Sequence, residues 1–184
     1  VKAKARSVFE HFTFDSAVFA VEPKFCPRPG FPPPEVFLPG YVGSAVVVAE
    51  LCARFGVEHV VVISDAAVYG DTTPEGADED FPLKQGLLRS DGAAACELAF
   101  RSYANQGSYK LTILRIFNVG GAWTSRGIGE LHRPERHLIP LCLEALKQGS
   151  PFTIWGTCFP TADGTAVRDF VHVLDAVSYT HLTL

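Results

Sequence analysis

The sequence predicts an α/β fold of the doubly wound kind, built on a parallel sheet. Two β-branched runs, VEHVVVIS (57–64) and KLTILRIFNV (110–119), are typical of strands that a parallel sheet buries on both faces. Segments with helical periodicity alternate with these runs, and this alternation indicates the class. Ligands collect at the carboxyl ends of strands in such folds, so we expect the chemistry near ISDAAVYGD, near IFNVGGAW and in the loops after Gly149.

Each element has its own signal along the chain. The apolar run SVFEHFTF (7–14) predicts a buried strand. Six prolines from Pro27 to Pro39 then predict an extended loop, with a polyproline ligand as the alternative, because proline lacks an N–H donor and disrupts helices. Apolar spacing and closing glycines predict helices over 44–57, 91–105 and 136–149, and PFTIWG (151–156) predicts a short strand.

Composition excludes several classes of function. The net charge is −4 and no basic run forms, so nucleic-acid binding lacks an electrostatic basis. Apolar runs are strand-sized and the N-terminus lacks a signal-peptide core, which indicates a cytoplasmic protein with no membrane partner. The five cysteines lack CxxC spacing and the histidines lack a His-x-x-Glu-His pattern, so we expect neither a disulfide framework nor a metal site. A chain without an initiating methionine is expected to be processed, trimmed or incomplete.

A glycine-rich phosphate loop is missing from the sequence. A dinucleotide fold needs one after its first strand, where the backbone approaches the pyrophosphate at a helix N-terminus. GGAWTSRGIG contains glycines but follows a late strand and opens no obvious helix. Two interpretations stay open: either the fold binds no dinucleotide, or its first half is missing.

Several motifs occur in an order and spacing found in a known family. They are VFEHF, GVEHVVVIS, AAVYGD, DEDFPL, LRIFNVGGA, HLIP, IWG and, most specifically, PTADGTAVRDFVHVLDA. From Val8 to Ala176 the chain resembles UDP-glucose 4-epimerases of the extended short-chain dehydrogenase/reductase superfamily. The resemblance implies a Rossmann-like fold, isomerase activity between UDP-glucose and UDP-galactose in galactose metabolism, NAD as cofactor, and a possible homodimer formed through helices that include 91–105.

The resemblance also implies how the chain is divided. Residues 1–118 would be a partial NAD-binding portion without the first glycine-rich βαβ unit. Residues 119–176 would be part of a smaller UDP-sugar-binding portion. Residues 177–184 match nothing in the family, and we expect them to be an atypical tail of foreign sequence or a terminated reading frame.

Arg168 is the residue for which the resemblance implies the clearest binding role. It stands where the family grips the UDP pyrophosphate, and a planar guanidinium can bond bidentately to phosphate. Without the resemblance, Arg168 and Asp169 could equally be an ion pair that caps a strand, and a structural role for Asp169 is expected in either case. Asn118 matches an asparagine that contacts the UDP-sugar, and Trp155 an aromatic near the uracil.

Four further positions follow from the same resemblance. Phe12 and Phe117 would lie at the NAD site, with Phe117 lining the nicotinamide pocket. His137 and Leu138 occupy the segment before Pro140, where the family has asparagines ahead of its leucine. His137 either donates a hydrogen bond to a phosphate or the uracil, or is an exposed histidine at a helix start.

The catalytic positions are the weakest part of the match, and none is intact. An ungapped register places the family's serine at Asp65, its tyrosine at Arg89 and its lysine at Ala93. A carboxylate of pKa about 4 is a poor base for a sugar hydroxyl, and arginine cannot accept a proton. We predict that Asp65 and Arg89 pair across the vacated site, and a separation above about 8 Å would contradict this.

Three hypotheses follow for function. The chain is an epimerase-like enzyme piece that is inactive alone, or a pseudoenzyme that still binds a UDP-sugar or a partner, or a fragment with no function of its own. UDP-glucose binding without turnover would select the second, and a featureless circular dichroism spectrum the third.

Overall fold

The computed structural model describes residues 2–21, 34–70, 76–135, 137–154 and 156–182. These residues form two compact units, one from the described parts of Val1–Ile116 and Tyr179–Leu184, the other from those of Phe117–Ser178. Parallel strands joined by helices confirm the predicted α/β, Rossmann-like class. None of the described helices is both long enough and apolar enough to cross a bilayer.

The described residues of the first unit form a three-stranded parallel sheet in the order β1 (Ser16–Phe19), β2 (His59–Asp65) and β3 (Lys110–Ile116). In the register, Val60 of β2 faces Ala17 on one side and Leu111 on the other. Val60 and Val62 of this central strand pack into the apolar core, and Val60, Val61 and Val62 are at most 1% exposed. The strand predicted over 57–64 is confirmed, and the strand predicted over 110–119 is confirmed as far as Ile116.

Helix α2 (Pro34–Arg54) packs against helix α3 (Leu88–Ala104). Helix α3 confirms the helix predicted over 91–105. The loop predicted for the proline tract is wrong from Pro34 onward, and residues 22–33 lie outside the described ranges. Proline is tolerated in a first helical turn, whereas Pro39 lies inside the helix and removes a hydrogen bond there. Burial of one face offsets that cost, through Tyr41, Ala45, Ala49 and Cys52.

The strand predicted over SVFEHFTF is also wrong. Residues Lys2–His11 form helix α1 instead, ahead of a turn that leads into β1. The preceding Lys-Ala-Lys-Ala-Arg sequence consists of strong helix formers, and Arg6 pairs with Glu10 one turn later at 2.7 Å. Phe9 is the side chain that packs against the core, with its ring 5.3 Å from that of Phe14.

The second unit contains β4 (Asn118–Gly120), β5 (Phe170–His172), α4 (Leu138–Gln148) and α5 (Val173–Leu182), the last of which runs on into the first unit's sequence. β4 and β5 pair in parallel, in a sheet separate from β1–β3, so the run predicted as one strand over 110–119 is divided at Phe117 between two sheets. The described part of PFTIWG forms no strand, which overturns that prediction. Helix α4 confirms the predicted third helix, which closes at Gly149 with a φ of +63°. Within the described residues of this unit, Ala176 is the one buried apolar side chain.

The assignment of residues 1–118 to NAD binding and of residues 119–176 to UDP-sugar binding stays a prediction. So does the foreign origin of 177–184, where α5 continues to Leu182.

Candidate functional site

In the first unit, Asp65 ends β2 and Arg89 lies in the first turn of α3. Nε of Arg89 donates a hydrogen bond to Oδ2 of Asp65, and the two side chains form an ion pair. The predicted pairing is therefore confirmed. The Arg89 side chain is 50% exposed, so water screens the pair and its net contribution is at most about 1 kcal/mol.

Asp65 has a second local role as the N-cap of the 3₁₀ turn Ala66–Tyr69. Its Oδ1 accepts a hydrogen bond of 2.8 Å from the backbone N–H of Ala67. A short polar side chain in extended backbone is suited to this position because its oxygen reaches the first free N–H groups of the turn. One carboxylate oxygen therefore holds the turn, and the other holds Arg89.

Ala93 lies one helical turn after Arg89 and is 1% exposed. It packs with Val68 and Tyr69 in a small apolar cluster of its own. A buried methyl group thus fills the position at which the resemblance implies a lysine. No ammonium group can act from residue 93.

Tyr41 of α2 approaches α3 near these residues. A Cβ added to Gly92 would lie 3.4 Å from Cδ1 of Tyr41, which shows how closely the two helices pass. Burial, then the neighbouring Cys96 and Asp65, raise the pKa of the Tyr41 phenol well above its usual range, although Arg89 lowers it. The sequence analysis did not identify Tyr41, since it is distant along the chain from α3.

Glu97 lies on the same face of α3, one turn beyond Ala93, and is 2% exposed. Its Oε1 accepts hydrogen bonds from Ser64 Oγ at 2.6 Å and from Arg115 Nε at 3.0 Å. Its Oε2 accepts from Arg115 Nη2 at 2.8 Å, so the guanidinium is bidentate. Burial opposes ionisation, but the hydrogen bonds from Arg115 and Ser64 and the charges of Arg115 and Arg101 outweigh it and lower the pKa of Glu97.

Arg115 connects this carboxylate to the residues that follow β2. Its Nη1 donates to the hydroxyl of Tyr69 at 2.8 Å and to the backbone carbonyl of Glu79 at 3.1 Å, and the guanidinium lies 5.0 Å from the Tyr69 ring centroid. The hydrogen bond to Glu97 is the main cause that raises the pKa of Arg115. The sequence analysis missed this network. Glu97 and Arg115 are charged residues within apolar stretches, and that pattern could have indicated a buried ion pair.

In the second unit, Asn118 is joined to the segment that carries Arg168. Its Nδ2 donates to the carbonyl oxygen of Asp169 at 2.8 Å, and its backbone N–H donates to the same oxygen at 3.3 Å. The register pairs Asn118 with Phe170. The side chain of Asn118 therefore fixes the backbone next to Arg168, and the structural role of Asp169 is played by its carbonyl group.

Arg168 itself is exposed. Across the described ranges, neither its guanidinium nor the Asp169 carboxylate forms an ion pair, so the strand-capping pair is not observed. The preceding turn is ordered by Asp163, whose Oδ1 accepts from the N–H of Thr165 at 2.9 Å and from its hydroxyl at 2.8 Å. These hydrogen bonds lower the pKa of Asp163.

The remaining predicted binding residues of this unit lie at the start of α4 and before β4. His137 is the N-cap of α4, and Leu138 is 47% exposed. A Cβ added to Gly120 would lie 3.0 Å from Cδ1 of Ile139, so β4 and the first turn of α4 are closely packed. Phe117 is 42% exposed, and Trp155 lies outside the described residues.

The described residues offer little to NAD. Phe12, in the first unit, is 64% exposed with its ring 6.4 Å from that of Phe14, and Phe117 is an exposed ring of the second unit. An exposed aromatic ring can stack on the flat rings of a dinucleotide. Within the described ranges, however, no glycine-rich turn leads from a strand into an α-helix, so its phosphates have no matching cradle of N–H donors.

Comparisons with known proteins agree with this architecture. The model of the NAD dependent epimerase/dehydratase family matches residues 3–184. A UDP-glucose 4-epimerase of Rhizobium meliloti (strain 1021) is 35% identical over 145 residues, covering 77% of this chain and 44% of that protein.

Two solved structures are similar as well. A crystal structure of a UDP-glucose 4-epimerase has a TM-score of 0.84 at 29% identity, covering 100% of this chain and 56% of that one. MoeE5 in complex with UDP-glucose and NAD has a TM-score of 0.67 at 29% identity, covering 92% of this chain and 52% of that one. The chain spans about half the length of the relatives that it matches.

Proposed function

Because the chain belongs to the NAD dependent epimerase/dehydratase family, we propose that it recognises a UDP-sugar without catalysing its epimerisation. The observation that carries this proposal is the ion pair between Asp65 and Arg89, with buried Ala93 one turn away. These are the positions at which the resemblance to UDP-glucose 4-epimerases implies a serine, a tyrosine and a lysine. An arginine and an alanine cannot accept a proton from a sugar, and a carboxylate is poorly matched to the task.

The chemical argument concerns the proton on the sugar's C4 hydroxyl. A base must remove it before hydride can leave the carbon. Arg89 cannot accept a proton, and a carboxylate is too weak a base for an alcohol. Tyr41 and Tyr69 are the nearby phenols. The raised pKa of Tyr41 makes it a weaker source of phenolate than free tyrosine, and Tyr69 is buried with its hydroxyl bonded to Arg115. No side chain described near these positions is suited to the proton transfer.

Recognition of a UDP-sugar is proposed for the second unit. The exposed guanidinium of Arg168 has the shape and charge to bind a diphosphate through two parallel hydrogen bonds. Asn118 fixes the adjacent backbone, and Leu138 and Phe117 supply exposed apolar surface. That MoeE5 binds UDP-glucose supports this choice of ligand. Stacking of Trp155 on the uracil and homodimerisation of the chain stay predictions.

Binding is tested by titrating the chain with UDP-glucose in a calorimeter. We expect saturable binding, and we expect Arg168→Ala to weaken it by roughly 10-fold or more, since hydrogen bonds to charged groups contribute about 1.5–3 kcal/mol. Arg126→Ala is the matched control, because Arg126 is also an exposed arginine of this unit. Equal affinity in both variants, or no binding by the unaltered chain, would contradict the proposal.

A further inference from the structure

An eight-residue segment of the second unit, ELHRPERH (130–137), places four potential metal ligands together. One ligand atom from each of Glu130, His132, Glu135 and His137 lies within 4.8 Å of every other. We propose that these side chains form a zinc site. This goes beyond recognition of a UDP-sugar and does not depend on it.

The donor atoms converge on a small volume. Oε1 of Glu130 lies 2.8 Å from Nδ1 of His132 and 2.5 Å from Nδ1 of His137. Nδ1 of His137 is in turn 3.5 Å from Oε1 of Glu135. The imidazole rings are nearly perpendicular, with centroids 4.6 Å apart, so they direct the same nitrogen to one region from different planes.

These separations are close to those of a tetrahedral zinc site. Zn–N and Zn–O bonds of about 2.0–2.2 Å place neighbouring donors roughly 3.3–3.5 Å apart. The separation of His137 and Glu135 already has this value, and the two shorter ones need to open by less than about 1 Å. Movement of this size is available to the Glu130 side chain, which is 36% exposed.

The chemistry of the set selects the ion. Imidazole nitrogen with carboxylate oxygen is a donor combination that suits zinc, whereas calcium and magnesium prefer oxygen ligands alone. The two carboxylates repel each other, and a divalent cation between them would balance their charge. Four protein donors would complete the tetrahedron and leave no position for a water molecule, so the ion would be structural.

The position of the site explains what the ion would do. His137 is the N-cap of α4, and its backbone N–H donates to Oε1 of Glu135 at 2.9 Å. A zinc ion would fasten the segment that leads into this helix. Few buried apolar side chains are described in this unit, so a metal crosslink would add stability that its core does not provide.

The sequence-based expectation of no metal site relied on a helical spacing of ligands. That spacing rule does not apply here, because all four ligands precede α4 and none of them lies in a described helix. The competing explanation is a cluster of hydrogen bonds between histidine and glutamate that holds no ion. The two explanations differ in whether Zn²⁺ binds.

The test is a calorimetric titration of the full chain with Zn²⁺, without nucleotide, followed by titration with Co²⁺ as a spectroscopic probe. We expect one Zn²⁺ per chain and a tetrahedral Co²⁺ spectrum. Replacing a residue that only orients a ligand already weakens metal binding about 10–100-fold, so His132→Ala and Glu130→Gln should each cost at least that much. His11→Ala and Glu144→Gln, at exposed residues elsewhere, should leave the affinity unchanged.

Three results would overturn the proposal. The first is no Zn²⁺ binding by the unaltered chain. The second is unchanged affinity in both His132→Ala and Glu130→Gln, and the third is a thiolate-to-cobalt charge-transfer band, which would place the ion on cysteine. Circular dichroism checks that the variants fold, and Glu130→Gln preserves side-chain shape. His137 is left unaltered because a UDP-binding role is also predicted for it, so the outcome is separate from that of the UDP-glucose titration.

Discussion

Replacing Glu97 with glutamine should destabilise the first unit by about 3 kcal/mol, near the lower end of the range for breaking a buried ion pair. The carboxylate is 2% exposed and accepts three hydrogen bonds, from Ser64 and from two nitrogens of Arg115. The amide can still accept through one oxygen, but its NH₂ group would face Nη2 of Arg115, so a charge-assisted bond becomes a contact between two donors.

The estimate lies at the lower end because Arg115 keeps other partners. Its Nη1 still donates to the Tyr69 hydroxyl and the Glu79 carbonyl, and its side chain is 12% exposed. The assay is urea denaturation followed by circular dichroism, which gives the free energy of unfolding of each variant. Glu10→Gln is the matched control, because it removes an exposed pair with Arg6 and should cost about 0.3–0.5 kcal/mol.

A double-mutant cycle with Arg115→Gln makes the test specific. The double variant should lose less stability than the sum of the single variants, since neither buried group then faces an uncompensated charge. If Glu97→Gln cost no more than Glu10→Gln, or if the two losses were additive, the buried-pair reasoning would be refuted.

Three further predictions concern residues of the first unit, one of them in comparison with Cys158 of the second unit. Asp65→Ala should cost about 1 kcal/mol more than Arg89→Ala in urea denaturation, because it removes a cap as well as an exposed pair; equal losses would contradict the capping role. Because the pKa of Glu97 is lowered in the folded state, its ionisation stabilises the fold. That stabilisation is complete above the pKa of an unfolded glutamate, about 4.3, and is lost as the pH falls through the pKa of Glu97 in the folded state. Acid unfolding should therefore be shallower in Glu97→Gln, and an unchanged pH profile would contradict this. Iodoacetamide should alkylate exposed Cys158 before Cys96, whose pKa burial raises to about 11; mass spectrometry of the digest would show the reverse order if this is wrong.

Where sequence patterns reported burial directly, the fold could be predicted. VEHVVVIS forms the central strand of the parallel sheet, with one strand paired at each edge. Its β-branched composition is typical of such a strand. Helix α2 was predicted only from Ser44, because Pro39 gives a strong local signal against a helix. Its burial against α3 outweighs that signal, and such packing cannot be read from a single segment.

For the candidate site, a contact between two positions matched to catalytic residues could be predicted, whereas contacts between other distant residues could not. The approach of Asp65 and Arg89 followed from two motif registers that meet at the end of β2. The network of Glu97 and Arg115 was missed because it joins a helix to a strand through side chains that have no fixed spacing. The cluster that contains Glu130 was missed because its ligands lie in irregular backbone, where periodicity gives no information.

The measurement that tests the proposed function most directly is a coupled assay for UDP-galactose formation, run on the preparation whose UDP-glucose binding has been measured and with NAD supplied. We predict saturable binding of UDP-glucose and no UDP-galactose above the rate of a sample without protein. Sustained formation of UDP-galactose would show that Asp65, Arg89 and Ala93 do not disable proton transfer, and would contradict the account.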